Sequence, residues 1–179
     1  MSIMDKYKTA GGGDNGRIGD GTFPARIVQI LDLGKQEDEW KGEVKVRDKL
    51  WITFEFPTET ITYDDKEGKT ITRPRWLSGE FTKSTGDKAK LTPIIKATNP
   101  EAASFEDLLG CALLVEVGTT SGGKDKYASA MALPKGMTVA ELDNETKYFD
   151  MNNPDSEVFD SLPDFLKEKI QSSPDFAPF

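Results

Sequence analysis

Between positions 44 and 56, cations and an indole alternate with apolar side chains. Lys45, Arg47, Lys49 and Trp51 share one parity, while Val44, Val46, Ile52, Phe54 and Phe56 share the other. Successive side chains of an extended chain point to opposite faces, so this pattern predicts a strand with one basic, aromatic-bearing face and one apolar face. Residues on a strand are about 3.3 Å apart. The basic face thus offers what an unpaired polynucleotide needs, cations along its phosphates and a flat ring for a base to stack on. The plainer reading is a solvent-facing strand whose Lys and Arg prevent edge pairing. Arg73, Arg75 and Trp76 repeat the combination, as do Lys124, Lys126 and Tyr127, and Trp40 with Lys41; Arg26 adds a cation to an earlier strand. Trp76 and Tyr127 suit a core as well as a binding face.

Other chemistry is poorly served. The chain has no histidine and one cysteine, Cys111. Imidazole-dependent triads and His-ligated metals are therefore excluded, and a structural zinc site has too few ligands. Cys111 opens the apolar run Cys111-Ala112-Leu113-Leu114-Val115 and reads as a buried structural thiol. Carboxylates such as Asp64 with Asp65, Glu106 with Asp107, and Asp150 form no ordered metal motif. The expectation is a non-enzymatic protein without cofactor or metal. No apolar run is long enough to span a bilayer, and the first residues lack the apolar core of a signal peptide, so a cytoplasmic protein is expected.

The net charge of −8 argues against a polyanion ligand until it is divided along the chain. Residues 1–136 carry 20 Lys and Arg against 21 Asp and Glu, and residues 137–179 carry 3 against 10. A nearly neutral body can hold a basic groove, because the local field decides. The acidic segment either solubilises or competes with phosphate for that groove.

These residues need elements to position them. Residues 1–21, rich in glycine, read as a flexible arm, and no Gly-Lys-Ser/Thr follows to make a phosphate loop. Residues 22–136 read as one domain. A first strand from Thr22 stops at Gly34, before a charged loop over residues 35–42. A second strand ends at Pro57, and a charged turn over residues 63–69 leads to a third over residues 73–83. Next comes a short helix with Leu91, Ile94 and Ile95 on one side, capped by Ser84 or Asp87 and holding Pro93. A helical turn from Ser104 ends at Gly110, followed by strands over residues 111–117 and 125–133. Strand, strand, strand, helix, strand, strand is the order of a five-stranded OB-type barrel, mainly β, with a helix between strands three and four. Its strands two and three carry the oligonucleotide face. A generic antiparallel sandwich is the competing layout. Residues 137–179 read as an acidic, partly helical C-terminal extension. Within it Leu162, Phe165, Leu166 and Ile170 fall at helical spacing, with Pro163 in the first turn.

Several stretches resemble phage single-stranded DNA-binding, recombination-associated proteins: Gly21-Thr22-Phe23-Pro24-Ala25-Arg26-Ile27-Val28, Leu31-Asp32-Leu33-Gly34, Ile52-Thr53-Phe54-Glu55-Phe56-Pro57 and Phe81-Thr82-Lys83-Ser84 with Leu91. The likeness continues through Phe105-Glu106-Asp107-Leu108-Leu109-Gly110, Leu162-Pro163-Asp164-Phe165 and Lys169-Ile170-Gln171-Ser172-Ser173, and so spans residues 20–175. Its motifs are structural, not catalytic. It implies an OB-fold protein that coats and protects unpaired strands during replication or recombination, with Lys83 and Ser84 near the nucleic-acid face. The ending Asp175-Phe176-Ala177-Pro178-Phe179 looks like a reduced form of the acidic, Pro-Phe-terminated tip by which bacterial single-strand binding proteins dock on enzymes. A terminal Phe presents a ring and a carboxylate together. The expected partners are single-stranded DNA and, through Asp175, Phe176, Pro178 and Phe179, replication or recombination proteins; a homo-oligomer is compatible with this reading. One alternative is a protein-interaction module in which a β-barrel and acidic tail bind or inhibit a host factor; a second is a minor virion or assembly component.

Overall fold

In the computed structural model, residues 16–179 are described. The expected N-terminal arm lies outside the described residues as far as position 15. Its last part is fixed: the Ile18 and Gly19 amides donate to the Asp125 carboxylate at 2.6 and 3.1 Å.

The protein is mainly β. Six strands form one sheet: β1 (Gly21–Trp40), β2 (Glu43–Asp64), β3 (Thr70–Thr82), β4 (Ala112–Thr119), β5 (Asp125–Met131) and β6 (Lys147–Phe149). Their order is β3-β2-β1-β4-β5, with β6 pairing β1. All neighbours are antiparallel except β6, which runs parallel to β1 at Gln29–Leu31. The sheet is not closed by hydrogen bonds, and β3 and β5 are its edges. These edges nevertheless meet through Tyr127, whose ring stacks on Phe54 at 5.6 Å and meets the Phe81 ring edge-on at 5.0 Å. Helix α1 (Leu91–Thr98) lies between β3 and β4 in the chain, and α2 (Ser156–Asp160) and α3 (Asp164–Gln171) follow β6.

β1 is buried on both faces, which explains its nearly continuous apolar run. A bulge between Ile27 and Gln29 switches parity, so Ala25, Ile27 and Ile30 all face the main core with Phe54, Phe56, Phe81, Ile94 and Val115. Leu31 and Leu33 face the other way, into a second core with Phe149, Met151, Phe159, Leu162, Leu166 and Ile170. The C-terminal segment is thus packed on the sheet.

Several expectations are corrected. The first strand does not stop at Gly34: a register shift there, with φ +65°, lets β1 run on to Trp40. The expected loop over residues 35–42 is instead one strand of a projecting two-stranded arm. Its tip, Lys41-Gly42, has positive φ at both residues, as a tight hairpin that matches strand twist requires. Because the arm extends past the core, Val44 and Val46, on the apolar face of the expected strand, are 61% and 59% exposed. The barrel expected to have five strands is a six-stranded sheet, its extra strand β6 too short to read from three residues. Cys111 precedes β4 and is half-buried, its thiol pKa raised by burial.

Candidate nucleic-acid interface

Residues opposite one another in an antiparallel ladder share a face. Lys49 lies opposite Thr82, Trp51 opposite Glu80, Thr53 opposite Ser78 and Glu55 opposite Trp76. Since Leu50, Ile52 and Phe54 point into the main core, these pairs form the outer face of β2 and β3. The arm continues that face with Arg47 opposite Gln36, Lys45 opposite Asp38 and Trp40 opposite Glu43. The cation and indole alternation therefore survives in three dimensions.

Two depressions lie on this face, and a third lies past Trp76 at the far end of the β2–β3 ladder. At the arm end, a groove of about 600 Å³ is lined by Arg47, Lys49, Glu80, Thr82, Lys88 and Lys90. Lys88 and Lys90 are exposed and make no ion pair among the described residues. Asp38 lies 3.8 Å from Arg47 and 2.8 Å from Lys49. An exposed pair of the Arg47 kind is worth about 0–1 kcal/mol, so a phosphate can replace the carboxylate. At that far end, Tyr63, Arg73, Arg75 and Trp76 line a groove of about 430 Å³ together with Ile18 and Asp125. Arg75 lies opposite the core residue Phe56 and Arg73 opposite Ile61, so the two arginines have the parity of the core face and not that of Trp76. Trp76 is 46% exposed, and its Nε1 donates to Glu55 at 3.1 Å, which fixes the indole. Arg73 donates to Asp143 at 2.8 Å, and that hydrogen bond raises the guanidinium pKa. Between the grooves lies a cleft of about 280 Å³ that both Trp51 and Trp76 line. Helix α3 crosses here: Phe165 meets the Trp51 ring edge-on at 5.8 Å, and Lys169 Nζ donates to Glu80 at 2.5 Å.

Other candidates sit elsewhere. Arg26 donates to the carbonyls of Ala140, Gly110 and Val139, each at 2.8 Å, and so pins the start of the C-terminal segment. Lys83 donates to the buried Asp32 at 2.6 Å and lies 3.4 Å from Asp48, on the side of β2 away from Lys49. Tyr127 belongs to the core, where burial pushes its pKa up to about 12. Its neighbours Lys124 and Lys126 are exposed and line none of the three depressions. Trp51 is half-buried under Phe165 rather than freely presented. At the tail, Asp175 accepts from the Lys35 amide at 2.9 Å, and Phe176 and Phe179 pack on Phe159 at 5.5 and 5.4 Å. Docking of that tip on a partner would require it to leave Phe159.

Lys88, Lys90, Lys147, Gln29 and Phe165 were not among the sequence candidates. The alternation Lys88-Ala89-Lys90 after Gly86 is a signal that could have been used; the others depend on pairings far apart in sequence. Among the described residues no group of three or more Cys, Asp or Glu is arranged to hold a metal ion, and no helix is long and apolar enough to cross a membrane. Comparison with protein-family models, with curated proteins and with solved structures finds no match.

Proposed function

We propose that this chain is a non-enzymatic single-stranded DNA-binding protein whose ligand runs along the outer face of β2 and β3, coating unpaired strands in phage replication or recombination. The observation that carries this reading is the arrangement of Arg47, Lys49, Lys88 and Lys90 at one end of that face and Trp76 at the other, with Tyr63, Arg73 and Arg75 in the groove beside Trp76. Cations follow phosphates, and aromatic rings give bases a stacking platform without demanding a sequence. We read the sheet as a partly open OB-type barrel. The order β3-β2-β1-β4-β5, the helix between β3 and β4, and the approach of β3 to β5 around Tyr127 support that reading.

The test is an electrophoretic shift with single and double strands of one sequence, followed by a salt titration. Four phosphate contacts at the arm-end groove give a slope of log K against log salt of about −3 for a single strand. Equal affinity for duplex, or no affinity at low salt, refutes the proposal. The exposed Val44 and Val46 on the arm's other face favour a second reading, a protein-interaction module. Such a module would show no single-strand affinity at any salt.

A further inference from the structure

The cleft at the middle of the outer face has a composition that its position in the fold does not require. Its floor is one rung across three strands: Gln29 of β1 lies opposite Thr53 of β2, which lies opposite Ser78 of β3. Gln29 Nε2 donates to Thr53 Oγ1 at 3.1 Å, and Thr53 Oγ1 is 2.8 Å from Ser78 Oγ. Gln29 and Thr53 are 7% and 1% exposed, and the adjoining rung carries the apolar Leu31 and Trp51. Among the described residues the Gln29 carboxamide makes that one side-chain hydrogen bond, although it has two N–H donors and a carbonyl with two lone pairs. No buried side-chain N or O among those residues lacks a partner, so the unpaired Gln29 Oε1 is reached by solvent in the cleft.

The walls are the two indoles. Trp51 and Trp76 stand on neighbouring strands with the Thr53–Ser78 rung between them, about 13 Å apart along the strand direction. The third wall comes from the C-terminal segment, through Pro163, Phe165 and Leu166. Lys147, opposite Gln29 in the β1–β6 register, stands at the rim and makes no ion pair among the described residues. The volume of about 280 Å³ lies just under the range of about 300–1,000 Å³ that takes a drug-sized ligand, which suits one small ring system.

We propose that this cleft is a pocket for a single unpaired nucleobase, completed by helix α3. The ring stacks on an indole, its hydrogen-bonding edge meets Gln29 and Ser78, and the attached phosphate faces Lys147. A base inside a duplex has that edge occupied and its faces stacked, so only an unpaired base enters. The inference rests on the reading of this face as the strand-binding surface. The chemistry recognised, a nucleobase with a phosphate, is shared by a strand and by a free nucleotide.

The experiment uses the full chain with labelled dT16, dA16 and dC16 by fluorescence anisotropy, and with millimolar dTMP, dAMP and dCMP by calorimetry. Trp76→Ala should weaken oligonucleotide binding about 5- to 150-fold, the range for one lost stack. Gln29→Met, which keeps the side-chain length, and Ser78→Ala should change the ratio of affinities among the three oligonucleotides while leaving the salt slope in place. Unchanged ratios in both variants, with strand binding intact, overturn the pocket and leave the strand-binding proposal standing. Mononucleotide binding that Trp76→Ala abolishes, without any oligonucleotide binding, supports the pocket and overturns the strand-binding proposal. Binding of neither overturns both.

Discussion

Substituting Ile170 with Ala tests whether the C-terminal segment is part of the folded unit. Ile170 is 0% exposed and sits in the second core with Leu31, Leu33, Leu166 and Phe149. Removing its buried methyl and methylene groups leaves a cavity and costs about 2–5 kcal/mol. The better helix propensity of Ala returns only a few tenths of a kcal/mol, roughly up to 0.4. In a protein of this size each kcal/mol moves Tm by about 2–4 °C, so the variant should melt roughly 4–20 °C lower. Phe165→Ala, on the same helix but at a position 56% exposed, should cost under about 1 kcal/mol, as surface changes do. The assay is urea unfolding followed both by tryptophan fluorescence, which senses Trp51 beside Phe165, and by far-ultraviolet circular dichroism. Coincident transitions shifted together by Ile170→Ala are expected. A shift below about 1 kcal/mol, or an early fluorescence transition with the sheet signal unmoved, would refute the reasoning, because the segment would then unfold by itself. The same logic replaces the idea of a competing acidic tail: deleting residues 137–179 uncovers Leu31, Leu33 and Trp51, and the expected result is unfolding or aggregation.

Three further outcomes follow from the same contacts. Gly34→Ala should destabilise by about 1–3 kcal/mol in thermal melts, because φ is +65° there and a Cβ would meet the Ser173 hydroxyl and the Met151 methyl. Tyr127 and Tyr148 have pKa values pushed up to about 12, for Tyr127 by burial, and for Tyr148 by burial first and nearby carboxylates second. A phenol whose folded pKa is raised contributes stability that is whole below pH 10 and is lost as pH climbs toward 12. The loss is on the order of 1–2 kcal/mol per group after solvent screening, and Tyr127→Phe should show a smaller drop in Tm between those pH values. Replacing both Lys88 and Lys90 with Ala should leave the fold intact and reduce the salt slope of single-strand binding by about 1.4. An unaltered slope would remove the arm-end groove from the path of the phosphates.

Much of the sheet was legible because its signals are local. The alternation over residues 44–56, the apolar triad Leu91, Ile94 and Ile95, and the Ser104 to Gly110 turn each declare their element from side chains a few positions apart. The Ser104 and Asp107 capping box, for example, closes within four residues. The misreadings arise where meaning depends on distant pairing. Gly34 looks like a stop until the C-terminal segment is seen crossing it, and then it is a bulge that admits Ser173. Tyr127 looks like a platform flanked by cations until β5 folds against β3. Val44 and Val46 continue a buried parity, yet nothing covers the arm beyond Lys49. Lys147-Tyr148-Phe149 is too short to show a period, and only its parallel pairing with β1 makes it a strand.

The distribution of charge shows why net charge was a poor guide to the outer face. Acids of the C-terminal segment are not a free polyanion: Asp143 holds Arg73 at 2.8 Å, Glu141 lies 3.8 Å from Arg26, and Asp175 lies 3.9 Å from Lys35. Each such pair ties the segment to the sheet. The pairs also differ in how readily they exchange. Lys83 with Asp32, at 2.6 Å with side chains 21% and 9% exposed, is a fixture, since parting it would leave a carboxylate buried and alone. Arg47 with Asp38, at 3.8 Å and nearly half-exposed, can trade its partner for a phosphate at little cost. On this argument the cations that matter are the ones without a tight partner, Lys88 and Lys90 first. The segment that makes the chain acidic then serves the outer face in a different way. Its helix stands across the trough between the two indoles, where Phe165 meets Trp51 and Lys169 meets Glu80.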